Sequence, residues 1–235
     1  MKSIIIASTS TVYGGEPLEY LLDELKIHFK NTEEILFIPY ARPSGISHEE
    51  YTRKIKKPFK SIGKSVKGIH EFKDTKKALK EAKGIYVGGG NTFVLVSQLY
   101  KNNCINVLKE VINNGTPYLG TSAGSNICGL NMNTTNDMPI VYPPSFKTLG
   151  LVAFNINPHY LDPIEGSKHM GETRETRIKE FHKFNTQPVI GLREGSFIEV
   201  KGKDIILRGN LEARIFEYEK EAYEIKTNTF LNELK

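Results

Sequence analysis

The chain has 235 residues, 39% of them hydrophobic and 25% charged, with a formal net charge of +5 and two cysteines. That length and balance fit one α/β domain with a sizeable core and exclude a largely disordered or disulfide-stapled chain. No run of about 18 apolar residues occurs, and Met1-Lys2 leads straight into a strand-like segment, so the expected protein is soluble and cytoplasmic, with no membrane partner. Cys104 and Cys128 lack metal-ligand spacing and read as small buried apolar residues, so neither a metal nor a cofactor is expected. Positive charge gathers between Arg53 and Lys83 without a nucleic-acid-binding motif and with few aromatics. It reads as a solvated lysine-rich helical face, with no nucleic-acid partner.

In chain order, Ile4-Ile5-Ile6 marks a short buried strand, Gly14-Gly15 a turn, and residues 18–29 an amphipathic helix. Residues 35–39 read as a second strand, and Ser47-His48-Glu49-Glu50 opens a helix with Ser47 as its N-cap. A third strand is expected over 66–72, with Asp74 capping a helix through Lys83. Ile85-Tyr86-Val87 is a fourth, ending in Gly88-Gly89-Gly90-Asn91-Thr92-Phe93 ahead of a helical region reaching Asn114. This glycine turn lacks the further glycine of a dinucleotide fingerprint and the Gly-Lys pair of a P-loop. It serves either as a tight turn or as a set of backbone N–H groups offered to an anion. The next strand ends in Gly120-Thr121-Ser122-Ala123-Gly124. Alternating strands and helices predict a parallel sheet covered on both faces, with sites at the carboxyl ends of its strands. The Gly88–Gly90 turn and Ser122 are therefore expected to share a cleft. Later, Phe197 to Val200 and Ile205 to Leu207 form a predicted hairpin, and Ala213 to Tyr218 adds a further strand.

The G-x-S-x-G segment has the form of a nucleophile elbow, where a serine on a sharp strand-to-helix turn projects its hydroxyl and a helix N-terminus favours developing negative charge. The bland alternative is a Gly/Ser loop capping a helix. A serine nucleophile needs a base, and the base needs an orienting group. His28, His48, His70 and His182 lie in helix or strand patterns and His169 in a polar loop, whereas His159 closes the strand-like Ile156-Asn157-Pro158 at a strand end. Asp137, in a polar turn, and Glu194, at another strand end, compete for the role of the acid.

Taken in order, the segments 88–93, 120–126, 134–141, 155–159, 171–177 and 191–195 resemble those of peptidase E, the aspartyl dipeptidase family of serine peptidases. The resemblance implies an α/β/α sandwich with a mainly parallel sheet, related to class I glutamine amidotransferases, plus a C-terminal β-hairpin region in a single peptidase domain over 1–235. It implies hydrolysis of dipeptides bearing an N-terminal aspartate by a triad of Ser122, His159 and Asp137, without metal or cofactor. Backbone N–H groups of Gly89 or Gly90 and of Ala123 would then hold the oxyanion. Arg174, in Gly171-Glu172-Thr173-Arg174, matches the family segment and would receive the aspartyl carboxylate; Arg193, beside Glu194, is a further candidate. Ser125 stands where alanine is common in the motif. The rival readings are a cyanophycinase-like hydrolase of aspartyl-arginine units and a catalytically silent anion-binding module. An α/β-hydrolase esterase shares the Ser, Asp, His order, but the interval from Ser122 to Asp137 is too short for it. No oligomeric state follows from the sequence.

Overall fold

The structure, a computed structural model, describes residues 1–43, 45–163, 166, 168 and 170–234. Five short buried segments, β1 (Ser3–Ala7), β2 (Glu34–Ile38), β3 (Ser65–Gly68), β4 (Ile85–Val87) and β5 (Tyr118–Thr121), pair in parallel in the order β3-β2-β4-β5-β1. A second sheet begins with the parallel pair β6 (Asn155–Pro158) and β7 (Val189–Leu192). The chain then returns to the first sheet, where β8 (Ser196–Lys201) lies antiparallel to β1 and turns into β9 (Asp204–Gly209). Finally β10 (Ala213–Phe216) and β11 (Tyr223–Ile225) extend the second sheet, giving β11-β10-β7-β6. The expected mainly parallel α/β fold and the C-terminal hairpin are both present.

Helices cover the first sheet because successive strand residues point to opposite faces and both are apolar. Ile5, Phe37, Tyr86 and Leu119 pack with Leu25 of α1 (Leu22–His28) and with Tyr51, Ile55 and Phe59 of α2 (His48–Ser61). Ile4, Ile6, Ile38 and Val87 face the other way, towards α3 (Thr75–Glu81), α4 (Thr92–Lys101) and α5 (Ile105–Asn113). Ser47 and Asp74 cap α2 and α3 as expected, Ser47 within a full capping box. After the four-residue α6 (Ala123–Asn126), α7 (Arg174–Phe181) rests on the second sheet, where Ile178 packs with Tyr160, Val189 and Phe216. Among the described residues no helix is long and apolar enough to cross a membrane.

Three expectations shift. The third strand stops at Gly68, because the Glu71 carboxylate accepts the Gly68 N–H at 2.7 Å and folds residues 69–71 into a 3-10 turn. The helical region after Thr92 breaks into α4 and α5, with Asn103 at φ 53° between them. The segment from Leu18 enters through a left-handed residue, φ 62°, and a 3-10 turn before α1 begins.

α1 is pinned to the sheet by its last residue. The His28 ring sets Nδ1 3.3 Å from Ser3 Oγ and Nε2 3.1 Å from Tyr118 O, and burial lowers its pKa from 6.5 to about 4. The unfolded imidazole therefore takes up its proton first as the pH falls. Stability from this group is complete above pH 6.5 and is lost as the pH drops towards 4. By pH 5 the loss is expected to reach on the order of 2 kcal/mol. Urea unfolding at pH 7 and pH 5 checks this: His28→Gln, less stable at pH 7, is expected to show a correspondingly smaller drop between the two.

Candidate active site

Between the end of β5 and the start of α6 the chain must reverse within one residue, and Ser122 does so at φ 54°, ψ −112°. That conformation is sparsely populated for a residue with a Cβ and costs about 1–3 kcal/mol. Its surroundings hold it there. The Ser122 N–H donates to Ala7 O at 3.2 Å, and its carbonyl accepts the N–H groups of Ser125 and Asn126 at 2.9 Å. Tyr118 Oη donates to Gly124 O at 2.7 Å, and a Cβ on Gly124 would strike the Val87 carbonyl, so the turn seats directly on β4. Ser125 is buried, with its hydroxyl 2.6 Å from Ala7 O and 2.8 Å from Gly120 O. The hydroxyl that departs from the motif's usual alanine ties the elbow to β1.

The glycine turn after β4 lies against this serine. A Cβ on Gly89 would sit 2.8 Å from Ser122 Cβ, so only glycine permits the approach. Tyr51 Oη donates to Gly89 O at 3.2 Å, and Asn91 caps α4 by accepting the Val94 N–H at 3.1 Å. Among the described residues nothing accepts the N–H groups of Gly89 and Gly90. Ala123, as the first residue of α6, has no intrahelical acceptor for its own. Gly89 and Ala123 thus flank Ser122.

His159 leaves the end of β6, also at positive φ, 54°. Its N–H donates to Ser8 Oγ at 2.9 Å, while that hydroxyl donates to Leu192 O at 2.7 Å and the Ser8 N–H to Ser196 O at 3.1 Å. Ser8 follows β1, whose Ala7 is in register with Thr121, the residue before the elbow. One buried hydroxyl therefore fastens the histidine turn to the strand beside the serine turn. Sequence reasoning passed over Ser8; its signal is a polar residue directly after an apolar strand, at the carboxyl end where sites form.

The two acids separate. Glu194 Oε1 lies 2.5 Å from His159 Nδ1. Asp137 does not meet the ring: its Oδ2 accepts the Thr92 N–H at 2.7 Å, Thr92 Oγ1 at 2.6 Å and Thr135 Oγ1 at 3.0 Å. The reason is strand register. Pro158 pairs with Leu192 in the parallel β6–β7 ladder, so His159 and Glu194 emerge side by side from neighbouring strand ends. The Asp137 loop is instead bonded along β6, with Thr134 Oγ1 donating to Ile156 O at 2.9 Å and Asn136 Nδ2 to Pro158 O at 2.7 Å.

Arg193 is saturated. It holds Asp162 with Nε and Nη2, both at 2.7 Å, Glu224 at 2.8 and 3.0 Å, and Glu212 O at 2.7 Å; these partners raise its pKa. Arg177 pairs with Glu172 at 3.6 Å. Arg174, the first residue of α7, is part-buried and forms no ion pair with any described carboxylate. Its pKa is lowered by burial and by Arg177, against which the charge of Asp137 acts. The His48 and His70 rings lie 5.6 Å apart, tilted by 50°, and His182 Nε2 lies 3.1 Å from Gln187 O. His169 falls outside the described residues. Among those described, no three His, Cys, Asp or Glu side chains are placed to hold a metal ion.

Residues 4–208 match the profile of Peptidase family S51. The chain belongs to that family. It is 44% identical over 218 residues to the probable alpha-aspartyl dipeptidase of Drosophila melanogaster, covering 92% of this chain and 90% of that one. It is 43% identical over 232 residues to peptidase E of Streptomyces coelicolor, covering 99% and 94%. Among solved structures, a peptidase from an acI-B1 Actinobacterium superposes with a TM-score of 0.73 at 17% identity, covering 98% of this chain and 96% of the other. A putative peptidase E from Listeria monocytogenes gives 0.68 at 22%, covering 90% and 100%. At those identities the likeness is one of fold.

The bonding around Ser8 and Ser125 predicts unequal costs. Ser8→Ala strands the His159 N–H, while the Leu192 carbonyl keeps the Tyr160 N–H at 3.1 Å, and urea unfolding is expected to show a loss of about 1–2 kcal/mol. Ser125→Ala is expected to lose less than about 1 kcal/mol, because Ala7 O keeps the Ser122 N–H.

Proposed function

We propose that this S51 member is a serine dipeptidase that removes an N-terminal aspartate from dipeptides, with Ser122 as nucleophile, His159 as base and Glu194 as the group that orients the base. The observation that carries the reading is the His159–Glu194 pair at 2.5 Å on a turn bonded through Ser8 to the strand beside the Ser122 elbow. Glu194, accepting the proton on Nδ1, leaves Nε2 to take the Ser122 proton as the hydroxyl attacks the scissile carbonyl. The carbonyl oxygen becomes anionic and is met by the N–H groups of Gly89 or Gly90 and of Ala123, which no described backbone group accepts. The imidazolium then protonates the leaving amine, and a water repeats the sequence on the acyl-enzyme.

Selectivity for aspartate needs a cation; Arg174 and Arg42 both lack an ion pair with a described carboxylate, but Arg42 is exposed and lies over the Tyr51 ring, whereas Arg174 is part-buried within the field of Asp137. A part-buried guanidinium offers a bidentate fork to a substrate carboxylate. The Drosophila relative's name supports this choice of substrate. Arg193 has no such freedom.

Three variants test the assignment on Asp-Leu and Asn-Leu. Ser122→Ala is expected to lower kcat about 10⁴- to 10⁶-fold with unchanged urea unfolding, and near-normal turnover rejects the nucleophile. Glu194→Gln is expected to cost on the order of 10⁴ in kcat through the wrong imidazole tautomer. Arg174→Ala is expected to lose roughly 2–5 kcal/mol of transition-state binding for Asp-Leu and much less for Asn-Leu. Equal fractional losses on the two substrates remove Arg174 from selectivity.

A further inference from the structure

Once Glu194 meets His159, the carboxylate of Asp137 needs another account. Asp137 bridges the two walls of the cleft. Its loop is bonded to the end of β6 immediately before His159, through Asn136 Nδ2 and Pro158 O. Its side chain is bonded to Thr92, just beyond the Gly88–Gly90 turn on which Ser122 packs.

All three described donors to this carboxylate converge on Oδ2, and none reaches Oδ1. A carboxylate offers about four acceptor sites, so half of this one is fixed in place while the other half keeps its capacity. At the start of α4, Asn91 accepts the Val94 N–H and Asp137 Oδ2 the Thr92 N–H, and neither bond draws on Oδ1. The neighbouring acids are committed, Glu194 to His159 and Asp162 to Arg193. Arg174 lies close enough for the charge of Asp137 to act on its guanidinium.

We propose that Asp137 Oδ1 receives the free α-ammonium of the substrate, so that Asp137 and Arg174 together form a subsite matched to the two charges of a terminal aspartyl residue. This deepens the dipeptidase reading and rests on it. An enzyme acting on a terminal residue must distinguish it from an internal one, and the α-ammonium is the group an internal residue lacks. Without an anion beside it, that cation would be desolvated next to Arg174 and repelled by it. With Asp137 in place, each substrate charge has an opposite partner.

The test uses succinyl-Leu, which keeps the carboxylate and the scissile amide of Asp-Leu and replaces the α-ammonium by hydrogen. Wild type is expected to favour Asp-Leu in kcat/KM by about 10²-fold or more, the scale of a lost buried charge pair. In Asp137→Asn, Asp-Leu is expected to lose most of that factor, mainly in KM, while succinyl-Leu stays within about threefold. If succinyl-Leu binds without being cut, its Ki as a competitive inhibitor takes the place of kcat/KM and is expected to be unchanged. Equal losses on both compounds, or a fall confined to kcat, overturn the proposal and return Asp137 to a catalytic or purely structural part. Urea unfolding of the variant identifies the structural case. If folded wild type leaves Asp-Leu uncut, the dipeptidase reading itself fails, and the subsite with it.

Discussion

The candidate site depends on one buried hydroxyl that belongs to neither the proposed nucleophile nor the proposed base. Ser8 Oγ accepts the His159 N–H and donates to the carbonyl at the end of β7, while the Ser8 backbone continues the strand that is in register with the elbow. The first sheet carries Ser122 and the second carries His159 and Glu194. Neither sheet alone carries all three residues of the proposed triad. A direct hydrogen bond between them, from the His159 N–H to Ser8 Oγ at 2.9 Å, fixes the separation of the Ser122 and His159 turns better than loop contacts would.

Both turns of the candidate site are held in unfavourable backbone geometry, with Ser122 and His159 at φ 54°. Each such residue costs about 1–3 kcal/mol, so it persists only where the surroundings over-determine it. At Ser122 the restraint comes from hydrogen bonds to Ala7, Ser125 and Asn126 and from the close seating of Gly124 on β4. At His159 it comes from Ser8 on one side and Glu194 on the other. The strain is local, and the rigidity that sustains it lies in the two sheets.

Much of this was legible in the sequence because it is local. Apolar runs such as Ile4-Ile5-Ile6 and Ile85-Tyr86-Val87, followed by glycine turns, identify parallel strands and their functional ends. The caps at Ser47 and Asp74 and the elbow at Ser122 follow from residues within a few positions of one another. The choice between Asp137 and Glu194 is of another kind. It turns on which strand pairs with β6, and β7 lies beyond α7, so no local pattern reports the register that sets His159 beside Glu194. The second sheet was missed for the same reason: its strands are only three or four residues long and gain their stability from partners distant in sequence.

Arg193 shows why a charged residue beside the acid proposed to orient His159 need not act on the substrate. It pairs with Asp162 and Glu224, Glu224 also accepts from Arg214 at 3.2 Å, and Arg214 reaches Glu175 at 3.1 Å, which in turn pairs with Lys179 at 2.8 Å. The chain of alternating charges runs from the residue before Glu194 to the residue after Arg174. Single exposed ion pairs contribute little, but a network shares the cost of ordering among several contacts, and each member is only partly exposed where two partners meet it. Its consequence is geometric. The helix that presents Arg174 and the strand end that presents Glu194 are tied to the same sheet, so Arg174 and Glu194 keep a common frame. A substitution at Arg193 would therefore act through position rather than charge, moving Glu194 against His159 before it altered the field in the cleft.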